Sequence, residues 1–308
     1  MQGLVIRNTG SWYTVECADG KTWECKVKGN FRLKGIRSTN PVAIGDNVTF
    51  EPLDEATGLI NCIEDRKNYV IRKSTNLSKQ SHIIAANVDQ CFLFVTLRQP
   101  ETSTTFIDRF LASSEAYRIP VVIIFNKIDL LDQEDRELLD GMVNLYNTIG
   151  YECRCVSART GDGVEELRTM LDGKVTLLSG NSGVGKSTLI NCLYPELNLK
   201  TSEISDAYNT GKHTTTFSAM FHVGDDGYII DTPGIKGFGT FNMEREEVGH
   251  YFKDIFRFAK DCRFNNCTHT HEPGCAVLQA VERHDISQSR YSSYLSMLED
   301  PNEDKYRK

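Results

Sequence analysis

The stretch Gly180-Asn-Ser-Gly-Val-Gly-Lys-Ser187 follows the apolar run KVTLLS and precedes the helical pattern STLINCL. Its spacing fits G-x-x-x-x-G-K-[ST] in the expected context, a loop between a strand and a helix. The glycines of such a loop let backbone N–H groups turn inward around phosphate oxygens, and the start of the helix adds its positive end. The pattern therefore predicts a phosphate-binding loop within a parallel α/β sheet.

The chemistry of this loop assigns a role to each reactive side chain. Lys186 is expected to reach the β- and γ-phosphates, Ser187 to offer a hydroxyl to Mg²⁺, and Thr188 to contact the α-phosphate. The predicted phosphate-binding residues are Gly180, Asn181, Ser182, Gly183, Val184, Gly185, Lys186, Ser187 and Thr188.

A second candidate element lies downstream, where the strand-like run YII ends in Asp231-Thr-Pro-Gly234. An acid at the carboxyl end of a strand beside a phosphate loop can hold Mg²⁺, usually through water, and Gly234 can offer its N–H to a γ-phosphate. D-x-P-G alone is a common turn. Its position after the phosphate loop favours the metal-binding interpretation for Asp231.

Upstream, the apolar run from Val121 to Phe125 ends in Asn126-Lys127-Ile128-Asp129, the N-K-x-D pattern that reads guanine. The Asp129 carboxylate can accept from the N1–H and N2–H₂ edge, which adenine does not present, while the Asn126 amide can reach N7. Lys127 is expected to pack its stem along the purine. Taken alone, the same four residues could simply cap a helix.

A further strand ends in Cys155-Val-Ser157-Ala158-Arg159, and the N–H groups of Ser157 and Ala158 are candidates for guanine O6. In ordinary GTPases the guanine reader lies after the phosphate loop, whereas here Asn126 precedes Gly180 by 54 positions. The order indicates a circular permutation, which is physically permitted because strands need only the right neighbours in space.

Length and composition limit the remaining possibilities. With 308 residues, 40% of them hydrophobic and 25% charged, the chain is expected to form two or three folded domains. Its 35 basic and 42 acidic residues give a net charge of −7, so a polyanionic partner must be met by local patches. No signal peptide or membrane-length apolar run is apparent, and we therefore expect a cytoplasmic protein that does not contact a membrane.

The predicted domains are a five-stranded OB-fold-like barrel over 1–68, a permuted α/β GTPase domain over 69–240 and a helical zinc-binding region over 241–308. Short alternating runs with a hairpin turn at Ala18-Asp19-Gly20 indicate the barrel. Positions 21 to 37 contain six basic residues and one acidic residue, interleaved with Trp23 and Phe31. This composition suits a surface that binds nucleic acid. A solvated strand face is the alternative interpretation.

Seven cysteines are scattered through the predicted strands and helices, where a thiol is expected to behave as a small core hydrophobe: Cys17, Cys25, Cys62, Cys91, Cys153, Cys155 and Cys192. The other three belong to Cys262-x4-Cys267-x-His269-x5-Cys275, a ligand set that fits one structural tetrahedral zinc per chain. His271 is a rival ligand, and buried free thiols are the alternative.

Taken together, these motifs in this order resemble the ribosome small-subunit-dependent GTPase A family (RsgA), over nearly the whole chain. The resemblance implies a late assembly factor of the small ribosomal subunit with a low intrinsic GTPase that the subunit stimulates, and contact with rRNA. It also suggests His213, in G-K-H-T-T-T, as the group that orients the attacking water, because the position after D-T-P-G is Ile235. Thr215 is the threonine expected to close on Mg²⁺, and Lys212 stands where the family more often has Arg.

The resulting hypothesis is a monomeric, Mg²⁺-dependent GTP hydrolase that binds GTP and GDP and is released from the small subunit upon hydrolysis. One alternative is a GTP-sensing RNA-binding adaptor with negligible turnover. A zinc-dependent DNA-binding regulator is disfavoured by the acidic net charge and by the lack of a clear helix-turn-helix pattern.

Overall fold

The computed structural model of the protein describes residues 1–28, 41–73, 81–199, 219–231 and 243–299. Within these ranges, no helix is long and apolar enough to span a bilayer. The strands are β1 (Gln2–Thr9), β2 (Trp12–Glu16), β3 (Thr22–Val27), β4 (Asn47–Pro52), β5 (Thr57–Ile63), β6 (Tyr69–Lys73), β7 (Ser81–Ala86), β8 (Gln90–Val95), β9 (Val121–Phe125), β10 (Glu152–Cys155), β11 (Val175–Gly180), β12 (Ala219–Val223) and β13 (Gly227–Asp231). The helices are α1 (Thr104–Ala116), α2 (Gln133–Ile149), α3 (Val164–Leu171), α4 (Lys186–Leu193), α5 (Lys253–Ala259), α6 (Ala276–Glu282) and α7 (Gln288–Glu299).

Six strands form the sheet of the α/β domain, in the order β10-β9-β8-β11-β13-β12. All pairs are parallel except β12 with β13. β8 and β9 are buried along their whole length, as expected for parallel strands with helices on both faces. The phosphate-loop strand β11 thus lies beside β8 and β13, although β8, β9 and β10 all precede it in the chain, which confirms the permuted order.

Local signals fix the boundaries of the helices around this sheet. For example, α2 begins where the Asp132 side chain accepts a hydrogen bond from the Asp135 N–H at 2.9 Å. It ends at Gly150, whose φ of 101° is a left-handed conformation that favours glycine. The helix α4 contains the whole of the helical pattern STLINCL seen in the sequence.

The first five strands form the predicted barrel, which closes because β1 pairs with both β2 and β4. Val5, Val15, Cys25 and Phe50 are fully buried in its core. Trp23 is also in this core, with its ring 5.5 Å from that of Phe50, so its prediction as part of a nucleic-acid face is wrong. The remaining aromatic of that predicted face, Phe31, and the basic residues Arg32, Lys34 and Arg37 lie outside the described residues.

The barrel and the α/β domain share one continuous sheet, because β1 also pairs with β12. A two-stranded hairpin of β6 and β7, which the sequence patterns do not reveal, packs next to this junction. Val70 and Ala85 of the hairpin belong to the same buried cluster as Ile44 of the barrel segment and Leu93 of β8.

The described part of the C-terminal region contains the three short helices α5, α6 and α7. Its core packs against Ala112 of α1. Arg290 of α7 is 1% exposed and pairs with Asp108 of α1 at 2.7 Å and with Asp254 of α5 at 2.8 Å. Asp108 also accepts from the Tyr146 hydroxyl at 3.0 Å. We call these four residues the Arg290 cluster, which joins the C-terminal region to the α/β domain through buried charges.

The scattered cysteines are buried or half-buried in the strands, with two exceptions. Cys62 and Cys192 are exposed, so their prediction as core residues is wrong. Cys62 lies next to the last residue of β5 and Cys192 next to the last residue of α4.

Candidate functional site

The phosphate loop connects β11 to α4 in a conformation that requires glycine. Gly185 has a φ of 93°, and a Cβ there would lie 2.4 Å from Asn126 Nδ2. Gly180 has a φ of 133°, and a Cβ there would lie 2.4 Å from the Phe94 carbonyl oxygen. A Cβ would therefore collide with Phe94 at Gly180 and with Asn126 at Gly185, so this conformation of the loop requires glycine at both positions.

The Lys186 amine is held against its own loop. Its Nζ donates to the carbonyl oxygens of Gly180 at 2.7 Å and Asn181 at 2.8 Å. Burial lowers the pKa of Lys186, and the nearby Asp231 carboxylate opposes that shift. Burial likewise raises the pKa of Asp231, opposed by Lys186. A half-buried cation thus lies against the phosphate loop, where it interacts electrostatically with Asp231 at the end of β13.

Asn126 joins three loops of the site and is almost fully buried. Its Nδ2 donates to the Val184 carbonyl at 2.8 Å, which ties it to the phosphate loop. Its Oδ1 accepts from the N–H groups of Lys127 at 2.8 Å and Ala158 at 3.2 Å. The side chain therefore holds the N-K-x-D and S-A-R loops against the phosphate loop, and these bonds use one of its two amide hydrogens.

Asp129 is oriented by Ser157, whose hydroxyl donates to Asp129 Oδ1 at 2.7 Å. The Ser157 N–H donates to the Asp162 carbonyl at 2.9 Å. It is therefore already engaged and not free for the predicted contact with guanine O6. Ser157 thus contributes to the site through its hydroxyl, which orients the Asp129 carboxylate. Arg159 was not among the predicted site residues, yet its guanidinium lies 3.9 Å from Asp129 Oδ2. The S-A-R pattern was the signal that could have identified it.

These groups surround one cavity of about 230 Å³. Its lining comes from N-K-x-D, S-A-R and the phosphate loop together, and consists of Asn126, Lys127, Asp129, Leu130, Ala158, Arg159, Gly185 and Thr188. The other described nucleotide-site candidates lie outside this lining: Ile128, Ser157, Gly180, Asn181, Ser182, Gly183, Val184, Lys186, Ser187 and Asp231. Val184 packs its side chain into the core below the loop. The motifs that are 54 positions apart in sequence therefore meet at one edge of the sheet.

The described candidates for Mg²⁺ also fit that ion. Ser187 is in the first turn of α4, and Asp231 ends β13 in register with Leu178 of β11, two residues before the phosphate loop begins at Gly180. A hydroxyl and a carboxylate are oxygen donors of the kind that Mg²⁺ prefers. The other candidates, His213, Thr215 and Gly234, lie outside the described residues, as do Lys212 and Ile235.

The predicted zinc ligands Cys262, Cys267, His269 and Cys275 come together, with their ligand atoms all within 4.8 Å of one another. His269 Nδ1 lies 3.5 Å from the sulfurs of both Cys262 and Cys275, and these sulfurs are 3.9 Å apart. A tetrahedral zinc with ordinary bond lengths would set these separations at about 3.5 Å and about 3.8 Å. The donor set therefore fits zinc. The rival His271 is exposed and its Nδ1 faces the Thr270 hydroxyl.

Groups around this cluster fix its backbone. The Tyr291 hydroxyl donates to the His269 carbonyl at 2.7 Å, and the Tyr294 hydroxyl donates to the Thr268 carbonyl at 2.7 Å. Burial opposes ionisation of Glu272, but hydrogen bonds from Thr268 and neighbouring N–H groups outweigh it and lower its pKa. The ligand loop is thus held in place by α7, the helix that also carries Arg290.

The sheet order, the phosphate loop and the base-reading loops define a circularly permuted P-loop GTPase. Comparison with known families agrees, since the RsgA GTPase model matches residues 63–241 and the RsgA N-terminal domain model matches residues 2–60. The chain belongs to the RsgA GTPase family.

Full-length relatives support this assignment. The chain is 66% identical over 307 residues to the small ribosomal subunit biogenesis GTPase RsgA of Phocaeicola vulgatus, covering 100% of this chain and 99% of the relative. It is 57% identical over 312 residues to the protein of the same name in Porphyromonas gingivalis, with the same coverage of 100% and 99%.

Two solved structures are also similar. YjeQ from Thermotoga maritima has a TM-score of 0.78 at 35% identity, covering 97% of each chain. YloQ, described as a circularly permuted GTPase, has a TM-score of 0.75 at 29% identity, covering 98% of this chain and 96% of that one.

Proposed function

We propose that this protein hydrolyses GTP as a late assembly factor of the small ribosomal subunit, on which it contacts rRNA and from which it is released upon hydrolysis. GTP binding and hydrolysis are supported by one observation, the cavity lined by Asp129, Ala158 and Gly185. This cavity joins the candidate guanine-binding residues to the phosphate loop. The small subunit is proposed as the partner because of family membership and the names of the relatives, which are small ribosomal subunit biogenesis GTPases.

In this proposal the base is read by Asp129. Its carboxylate, oriented by the Ser157 hydroxyl, accepts from the guanine N1–H and N2–H₂. Asn126 holds the neighbouring loops together and donates to N7, and the Lys127 stem covers one face of the purine. The Ala158 N–H is the candidate for O6, and it would exchange its longer 3.2 Å hydrogen bond to Asn126 Oδ1 for one to the base.

The phosphates are bound by the backbone from Gly180 to Gly185, by Thr188 and by Lys186. On binding, the Lys186 amine exchanges its two loop carbonyls for phosphate oxygens, where its charge stabilises the negative charge that develops during transfer. Magnesium, held by Ser187 and Asp231 with Thr215, supplies further charge neutralisation when bound. His213 is proposed to orient the attacking water, and Gly234 to contact the γ-phosphate.

Zinc bound by Cys262, Cys267, His269 and Cys275 is proposed to have a structural role, with all four positions filled by protein ligands. We further propose that the chain acts as a monomer in the cytoplasm, where ribosomal subunits are assembled. Its proposed domains are 1–68, 69–240 and 241–308, the first supported by the end of the barrel at Ile63.

The guanine assignment is tested by changing Asp129 to Asn. The variant loses two charge-assisted hydrogen bonds to guanine and gains a donor that suits the 2-oxo group of xanthine. GTP affinity should fall roughly a hundredfold or more, and xanthosine triphosphate should become the better substrate. The exposed Asp140→Asn is the matched control and should bind GTP as the wild type does. Unchanged base specificity in Asp129→Asn would contradict the assignment.

The physiological part is tested by multiple-turnover GTPase assays with and without purified small subunits. Stimulation by subunits supports the assembly-factor role. Guanine-specific binding with negligible turnover under both conditions would instead support the GTP-sensing adaptor.

A further inference from the structure

A row of paired backbone positions runs across the sheet from the barrel to Asp231, the candidate magnesium ligand. Arg7 of β1 is in register with Ala219 of β12, and Ala219 is in register with Asp231 at the end of β13. Since neighbouring strands are about 4.8 Å apart, the barrel backbone at Arg7 lies about 10 Å from that of Asp231. A single strand separates the barrel from this residue of the nucleotide site.

The strand at this junction packs into two hydrophobic cores. Val5 of β1 is fully buried inside the barrel. Its neighbours Leu4 and Ile6 point to the other side and pack against the cluster that contains Met220 of β12 and Ile230 of β13. Since interiors are close-packed, β1 and β13 cannot shift independently without opening one of these cores.

One side-chain hydrogen bond also crosses the junction. The Tyr228 hydroxyl of β13 donates to Glu16 Oε2 of β2 at 3.0 Å. Burial, followed by the contact with Glu16, raises the pKa of Tyr228 to about 12, so it remains a hydroxyl donor at neutral pH. Tyr228 lies three residues before Asp231 on the same strand.

We propose that Glu16 and Tyr228 are positioning residues that fix the strand carrying Asp231 to the barrel, so that the nucleotide state of the site and the arrangement of the barrel depend on each other. This inference rests on the proposed function for its physiological meaning. A small subunit that contacts the barrel would favour one placement of Asp231, and GTP bound at Asp231 would favour one placement of the barrel, since such coupling is reciprocal.

The first test needs no ribosome. Both tryptophans of the chain, Trp12 and Trp23, lie in the barrel, so tryptophan emission reports on the barrel alone. Trp12 pairs with Thr9 of β1 and carries Lys26 at 4.2 Å over its ring, which makes its emission sensitive to small shifts of that strand. With Mg²⁺ present, the full-length wild-type protein should give different emission with GDP and with a non-hydrolysable GTP analogue.

Three variants test the hydrogen bond itself. Tyr228→Phe removes the donor and Glu16→Ala removes the acceptor, so both should lose most of the emission difference. Glu16→Gln keeps an acceptor oxygen and should retain it. Tyr194→Phe is the matched control, since within the described part of the chain the Tyr194 hydroxyl is buried without a hydrogen-bond partner.

The second test measures GTP turnover with saturating small subunits. Tyr228→Phe and Glu16→Ala should lower the factor by which subunits stimulate kcat about fivefold or more, while thermal stability and subunit affinity remain as in the wild type. Glu16→Gln should restore most of the stimulation. A purely structural role would instead lower thermal stability and basal turnover together.

Two results would overturn the inference. One is a wild-type emission that is identical with GDP and with the GTP analogue. The other is an emission difference, or a subunit stimulation, that survives unchanged in Tyr228→Phe and Glu16→Ala. Wild-type turnover that subunits do not stimulate would refute the proposed function alone, because the fluorescence experiment still decides whether the barrel and the site are coupled.

Discussion

Replacing Arg290 by Met should destabilise the protein strongly, because it leaves two buried carboxylates without their cation. Asp108 and Asp254 are both largely buried, and Arg290 donates to them through three hydrogen bonds of 2.7, 2.8 and 3.1 Å. Removing one partner of a buried ion pair typically costs about 3–5 kcal/mol of folding free energy. We expect a loss in this range, measured by urea unfolding followed by circular dichroism.

The matched control is Arg283→Met, which breaks the exposed pair between Arg283 and Asp285. Exposed pairs contribute less than about 1 kcal/mol, so this variant should unfold almost as the wild type does. Adding Asp108→Asn and Asp254→Asn to Arg290→Met should recover much of the loss, because the uncompensated charges are gone. If Arg290→Met loses no more stability than Arg283→Met, the reasoning about the Arg290 cluster is refuted.

The stability of Arg290→Met also has a predictable dependence on pH. Burial raises the pKa of Asp108, and Arg290 opposes this rise. Without Arg290 only hydrogen bonds from Ser293 and Tyr146 still oppose the rise, so the pKa of Asp108 in the folded variant lies higher and a proton binds at a pH where the unfolded chain binds none. The variant therefore regains stability as the pH falls through the raised pKa, and its deficit should be smaller near about pH 5 than near about pH 8. An equal deficit at both values would contradict this assignment of the charges.

Three further predictions concern the binding sites. Gly185→Ala should abolish measurable GTP and GDP binding in titration calorimetry, since its Cβ would lie 2.4 Å from Asn126 Nδ2; retained binding would contradict the loop geometry. Ser157→Ala should weaken GDP binding about tenfold by freeing Asp129, with unchanged thermal stability as the check that the fold is intact. Chelation of the metal, or Cys275→Ser, should lower the thermal midpoint of the C-terminal region, and elemental analysis should find one zinc per wild-type chain; no zinc at all would refute the site.

Much of the α/β domain could be predicted from local signals. The apolar runs of β8 and β9 and the capped helix α2 carry their own boundaries, and the phosphate loop follows from its glycine spacing. The hairpin of β6 and β7 could not be found in this way, because its strands are short and its pairing depends on the packing between barrel and α/β domain.

The errors in the prediction also have physical reasons. Trp23 was judged from the charges that surround it in sequence, but strand residues alternate sides, which places it with Cys25 in the barrel core. The Ser157 N–H was assigned to guanine because the turn to Asp162 that engages it is not apparent from sequence. The Arg290 cluster joins residues 182 positions apart, a pairing that no local pattern indicates.

The permuted strand order also affects when the chain can first use its ligand during synthesis. The loops that carry Asn126 and Asp129 leave the translating ribosome before the phosphate loop at Gly180 exists, and Asp231 is later still. A nascent chain that ends before β11 lacks the middle of the sheet and cannot gain stability from bound nucleotide, however much nucleotide the cell contains. The chain must extend past Thr188, the last residue of the cavity lining, before bound nucleotide can stabilise it.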